Sequence, residues 1–126
     1  MDNRKVNRIL YTDWIPLWMG IRQEQIDKGK GKQSSQGTYA AHLSKRILPT
    51  LGDFYVDELT TKCLEEYALT LVDPKIGKPL SKKTTKDIIG IIKSSIRAAK
   101  KEGYETVDIG KIEIPQTFQK KTALER

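Results

Sequence analysis

The sequence predicts an all-α fold: a compact bundle of about four helices with flexible N-terminal and C-terminal tails. Three observations carry this expectation. Apolar residues recur at helical spacing in separate stretches. Proline, glycine or a capping hydroxyl stands between successive stretches. The chain has 126 residues, which suits one domain with tails and a modest core. The expected division is a tail over 1–10, a domain over 11–104, and a linker or small hairpin over 105–126.

The first expected helix opens at Thr12 or Asp13 as cap, with Pro16 in its opening turn. Trp14, Trp18, Ile21 and Gln25 share a face, with Ile15, Leu17 and Ile26 nearby. Tryptophans four residues apart can stack on bases, but this spacing is more often that of core, and core is the expectation. Lys28 to Gly37 alternates glycine with lysine and reads as a linker, able to follow phosphates or only to keep a loop hydrated.

A second helix is expected from Ser34–Gly37 to about Ile47. Its inner face holds Tyr39, Ala40, Leu43 and Ile47. Its outer face holds Ser34, Thr38, Ala41, His42 and Lys45 and is small and polar, suited to phosphates and base edges. For His42 taken alone, an ordinary surface histidine is the readier reading. Leu48-Pro49 through Gly52-Asp53 should break this helix. Phe54, Val56 and Leu59 pack a connector to a third helix capped by Thr60 or Thr61, with Cys63, Leu64, Tyr67, Ala68 and Leu71 inward.

Ser81 is the expected N-cap of a fourth helix that stops at Gly103. At about 100° per residue it separates into two faces. Ile88, Ile91, Ile92, Ser95, Ile96, Ala98 and Ala99 line one; Lys82, Lys83, Lys86, Lys93, Arg97, Lys100 and Lys101 line the other, interrupted by Gly90. Like charges at this spacing repel by a few tenths of a kcal/mol per pair. The dipole accounts for Lys100 and Lys101 in the last turn, but not for Lys82, Lys83 and Lys86 at its positive end. A helix lying against phosphates has this pattern. Beyond Gly103, Thr106–Ile109 and Lys111–Ile114 alternate around Gly110, as a small hairpin or an extended linker would.

Net charge is +7, favouring nucleic acid or another anionic surface. The charge is also segregated: Asp57, Glu58, Glu65 and Glu66 face only Lys62 between Asp53 and Asp73, a region expected to point away from a polyanion. One histidine and one cysteine cannot assemble a zinc site of the usual kind. Gly29 to Gly37 lacks the spacing of a phosphate loop. Cys63 and His42 suggest no third orienting group, so a small apolar role is expected for Cys63. No cofactor, metal site or active site is expected. No apolar run reaches the roughly 20 residues of a membrane span, no secretory signal opens the chain, and a lone cysteine suits a reducing cytosol.

The order of motifs resembles a known family. A Trp-bearing helix precedes Thr38-Tyr39, then Ile47-Leu48-Pro49-x-Leu51-Gly52-Asp53 and Val56-x-Glu58-Leu59-Thr60. Leu80-Ser81-x-x-Thr84-Thr85 follows, and a long helix ends Ala98-Ala99-Lys100-Lys101-Glu102-Gly103-Tyr104. Over about residues 11 to 104 this resembles the N-terminal SAM-like core-binding domain of tyrosine recombinases, the phage-integrase family. The resemblance implies a helical bundle on one side of duplex DNA, with a separate catalytic domain closing over the other side. It implies that Ser34, Gln36, Thr38, His42 and Lys45 of the second helix face DNA, and Ser81, Lys82, Lys83, Thr84, Lys86, Lys93 and Arg97 of the fourth. Tyr39 falls inward and is expected in the core.

The family's catalytic domain carries a His-x-x-Arg box and a tyrosine nucleophile. This chain has only His42-Leu43-Ser44-Lys45, on another helix, so it reads as a fragment without enzymatic activity of its own. The expected partners are double-stranded DNA and the catalytic domain of a full-length recombinase, with no membrane, in a bacterial cytoplasm and as a monomer when alone. The competing reading is a helical protein–protein adaptor of the sterile-alpha-motif type, its basic face meeting the acidic region of another copy. A membrane-surface helix is disfavoured because the fourth helix needs its apolar face for the core.

Overall fold

The computed structural model describes residues 7–73 and 77–112, and the chain is an all-α bundle. Helix α1 is Tyr11–Asp27 and α2 is Gln33–His42; α2 continues through a π-helical turn, Leu43–Ile47, into α3, Leu48–Leu51. A single 3-10 turn, Val56–Glu58, leads to α4, Thr61–Leu69. The antiparallel two-residue strands β1, Val72–Asp73, and β2, Lys78–Pro79, then lead into α5, Lys82–Lys101.

Neither Thr12 nor Asp13 caps α1. The helix starts two or three residues earlier, with Leu10 at the cap position and no side-chain cap. Its first donors go to backbone carbonyls from elsewhere: Tyr11 N–H to Phe54 O at 2.8 Å, and Thr12 N–H to Gly52 O at 3.0 Å. The segment after α3 therefore serves as the cap that local sequence lacks. Pro16 consequently sits in the second turn, where Thr12 O loses its helical partner on an exposed face.

The helix does not stop at Pro49; it ends at Leu51, so the break expected over 48–53 falls at Gly52. Proline has no N–H to offer four residues back, and its ring crowds that carbonyl. The helix widens first: Leu48 N–H bonds Leu43 O, five residues back. That π turn lets helical backbone run on to Leu51.

Thr60 accepts from Cys63 N–H at 3.1 Å and caps α4, and Ser81 accepts from Thr84 N–H at 3.1 Å and caps α5, both as expected. At the other end of α5, Gly103 has φ +96°, Gly103 N–H bonds Lys100 O, and Tyr104 N–H bonds Ala99 O. This is a Schellman closure, which favours glycine at the left-handed position.

The core is shared by all the main helices: Tyr11, Trp14, Ile15 and Trp18 of α1; Leu43, Ile47 and Leu51; Leu64, Tyr67 and Ala68 of α4; and Ile88, Ile91, Ile92 and Ile96 of α5. Thr85 and Ile89, not anticipated inward, are also buried, while Ala40, expected inward, is exposed. Trp14 donates through Nε1 to Ser95 O at 2.8 Å, and the Tyr11 hydroxyl meets Ser95 Oγ at 2.7 Å. These bonds lock α1 to α5.

Residues 7–10 are not a free tail. Val56 N–H bonds Ile9 O and Glu105 N–H bonds Asn7 O, each at 2.9 Å, so this segment lies between two other stretches of chain. Within 105–112, no strand forms; Gly110 N–H donates to Thr61 Oγ1 at 3.0 Å, and Ile112 is buried. The remainder of the expected hairpin and both terminal ends lie outside the described residues.

Candidate nucleic-acid interface

The ridge along α5 follows from its apolar stripe. Packing Ile88, Ile92, Ser95 and Ala99 inward points the opposite arc to solvent. Lys83, Lys86, Arg97 and Lys101 lie near the middle of that arc, with Lys82, Lys93 and Lys100 along one edge, where Lys82 and Lys93 are half-buried. Lys83 Nζ reaches Asp87 Oδ2 at 3.4 Å, and Lys100 Nζ reaches Asp108 Oδ1 at 3.7 Å; both pairs are exposed and so weak. Among the described residues, Lys82, Lys86, Lys93, Arg97 and Lys101 have no acidic partner. The cations therefore share one side of one helix and, among the described residues, are mostly not neutralised.

Beside the N-terminal half of this ridge runs a groove of about 340 Å³ between α2 and α5. Thr38, Tyr39 and His42 form the α2 wall; Lys86, Asp87, Gly90, Ile91 and Ser94 form the α5 wall. A Cβ at Gly90 would meet nothing within 4 Å, so the groove is open above that position. Thr38 and His42 thus stand across from Lys86, which joins expected site residues from both helices. Ser34 and Lys45 are exposed on the α2 side but do not line this groove.

Beside the C-terminal half, Lys93, Arg97 and Lys100 border a second hollow closed by Thr106, Val107, Asp108 and Ile109. The α1–α2 turn brings Lys30 and Lys32 beside Lys101. The C-terminal ends of α1 and α5 meet there, and cations at that place complement both helix dipoles.

Gln36 does not belong to the outer face. Its side chain is 7 % exposed, accepts from Arg22 Nε at 2.7 Å, and donates to Met19 O at 3.2 Å. It falls seven residues before Leu43 and so shares that residue's inward face. Its role is to tie α2 to α1, while the Arg22 guanidinium covers the Tyr39 ring at 3.9 Å. Both tryptophans are core, as expected.

The hydroxyls of the fourth-helix entry are largely engaged with each other. Ser81 Oγ meets Thr84 Oγ1 at 3.0 Å as well as capping the helix. They present a pre-ordered helix start rather than free donors. Thr38 Oγ1 donates back to Ser34 O at 3.3 Å, leaving its lone pairs toward solvent.

Burial, then the nearby Arg46 guanidinium, pushes the His42 imidazole below its ordinary value, with Asp87 opposing them. His42 is therefore mainly neutral at pH 7. The Cys63 thiol is pushed up by burial and by Glu66, the reverse of what a nucleophilic thiolate requires. Among the described residues, no group of three or more His, Cys, Asp or Glu side chains could hold a metal ion.

Compared with known proteins, the chain matches no family model, no curated protein and no solved structure. The site is therefore read from its own geometry. Sequence reasoning did not select Asp87 or Ser94; both lie on the arc of α5 between its basic ridge and its apolar face, where the helical wheel already placed them. In the acidic region, Asp57 and Glu58 hold Arg8, at 3.1 Å and 3.9 Å. No helix among the described residues is long and apolar enough to cross a membrane.

Proposed function

We propose that this chain is a duplex-DNA-binding module, of the kind that positions a site-specific tyrosine recombinase on its core sites. The observation that carries the reading is the ridge of α5, whose cations share one side and mostly have no carboxylate partner among the described residues, beside the polar wall of α2. Phosphates would neutralise Lys82, Lys83, Lys86, Lys93 and Arg97, while Thr38 and His42 approach from α2 and Lys45 from the π-helical turn that follows it. The recombinase assignment rests on the order of sequence motifs; catalysis would belong to a separate domain.

Salt dependence of duplex binding tests this. With five or six phosphates contacted, log K should fall against log salt with a slope of about −5. Fluorescence anisotropy with a labelled mixed-sequence duplex reads it directly. An affinity that ignores salt, or no binding at ~50 mM salt, rejects the proposal. The adaptor reading has its own support in α4, where Leu69 is 58 % exposed close to Glu66. Sedimentation separates the two: an adaptor self-associates with rising concentration and without DNA, whereas the module stays monomeric.

A further inference from the structure

On a face built only to meet phosphates, one residue is out of place. Asp87 lies at the edge of the basic ridge, one turn beyond Lys83 and next in sequence to Lys86, on the wall of the α2–α5 groove. A carboxylate there repels the phosphates that its neighbours attract.

Its local structural contribution is small. The Lys83–Asp87 pair has lysine on the N-terminal side, the less favourable order for an i,i+4 pair, and its side chains are 86 % and 57 % exposed. Asp87 is the sixth residue of α5, beyond the first turn where an acid gains from the dipole. Aspartate is also a poor residue for a helix interior. Neither capping, dipole nor a strong ion pair accounts for it.

Its surroundings suit another task. Across the groove stand Thr38 and His42, and Lys86 lies next to Asp87 on the same wall. An acceptor is therefore set near the Lys86 ammonium and the His42 imidazole, over an opening that Gly90 leaves clear, while the Thr38 hydroxyl proton is spent on Ser34 O. In the major groove, a C·G pair presents the reciprocal pattern: the cytosine N4 donor beside the guanine O6 and N7 acceptors. Adenine also offers a donor, but its N7 lone pair lies alongside and repels a carboxylate.

Resting on the DNA-binding reading above, we infer that Asp87 is a sequence-reading residue, accepting from cytosine N4 of a C·G pair while Lys86 or His42 donates to the paired guanine. The phosphate-facing cations supply affinity, and Asp87 supplies discrimination at one base pair.

Selection from a pool of randomised duplexes, followed by sequencing, tests it on the full chain and on Asp87→Ala and Asp87→Asn. The unaltered chain should enrich cytosine at one position by roughly 5- to 150-fold over other bases. Asp87→Ala should flatten that position while binding mixed-sequence duplex as well as before or more tightly, since a repulsive charge is gone. Asp87→Asn should move the preference toward adenine, which an amide pairs through N6 and N7. A cytosine preference that survives both substitutions overturns the inference, as does binding by the unaltered chain with no C·G preference. Asp87→Ala weakening mixed-sequence binding as a lysine loss does would also overturn it. Each of these leaves the DNA-binding reading standing; absence of duplex binding by the unaltered chain overturns both.

Discussion

His42 shows how one side chain can report on the partner. Burial and Arg46 hold its folded-state value below the ordinary 6.5. An unfolded chain therefore binds more protons there, so stability rises with pH across this window. The contribution is complete above the unfolded value and is lost as pH falls through the folded one. A docked phosphate acts in the opposite direction, because an anion beside the imidazole favours its charged form. DNA binding should then take up a proton, and affinity should increase as the pH is lowered from 8 to 6. Anisotropy titrations across that range should show this increase, and His42→Gln should remove most of it. A pH-independent affinity for the unaltered chain would place His42 away from phosphates.

At the scale of the helices, the signals that were legible in sequence are those that act locally. Ser81, Thr60 and Gly103 cap or close helices through residues within a turn of themselves, and each does so as its sequence context implied. The apolar stripe of α5 was legible because its period is helical over 20 residues. Two features were not. The cap of α1 comes from residues about forty positions later, so no local motif marks it. The proline at position 49 looked like a stop because the compensating π turn has no composition of its own. The family resemblance alone sets Gln36 toward DNA; its place is fixed instead by Arg22 on α1, a partner that local sequence does not mark.

Gly52 is where these non-local demands meet, and it yields a prediction at this scale. It is buried, its carbonyl accepts from Thr12, and its own N–H bonds Leu48 O at 2.9 Å. A Cβ placed there would lie 2.6 Å from Leu48 O and 3.3 Å from Thr12 Cβ. Both neighbours are fixed, one as helix backbone and the other by the bond it makes to Gly52. Its φ of −60° is ordinary, so the obstacle is crowding rather than conformation. Gly52→Ala should cost about 1–3 kcal/mol, the range for overpacking a fitted site. Urea denaturation should register this loss, while the salt slope of DNA binding stays the same because no ridge cation moves.

For the whole molecule, the length of the basic ridge sets how its parts combine. A 20-residue helix is about 30 Å long, so its two halves meet different phosphates. Lys82 and Lys86 belong to the N-terminal half, where Lys86 also lines the α2 groove, and Lys93 and Arg97 to the half beside residues 106–109. The pairs are far enough apart for their effects to add in free energy. Lys82→Ala with Lys86→Ala should lower the salt slope by about two, Lys93→Ala with Arg97→Ala by about two, and all four together by about four. The four-fold variant should keep its helical circular dichroism, because none of these side chains lies in the core. Hydroxyl-radical footprints should lose protection on a different stretch of backbone for each pair. If one pair alone abolishes the salt dependence and the other changes nothing, only half of α5 meets the duplex, and the ridge is not a continuous docking surface.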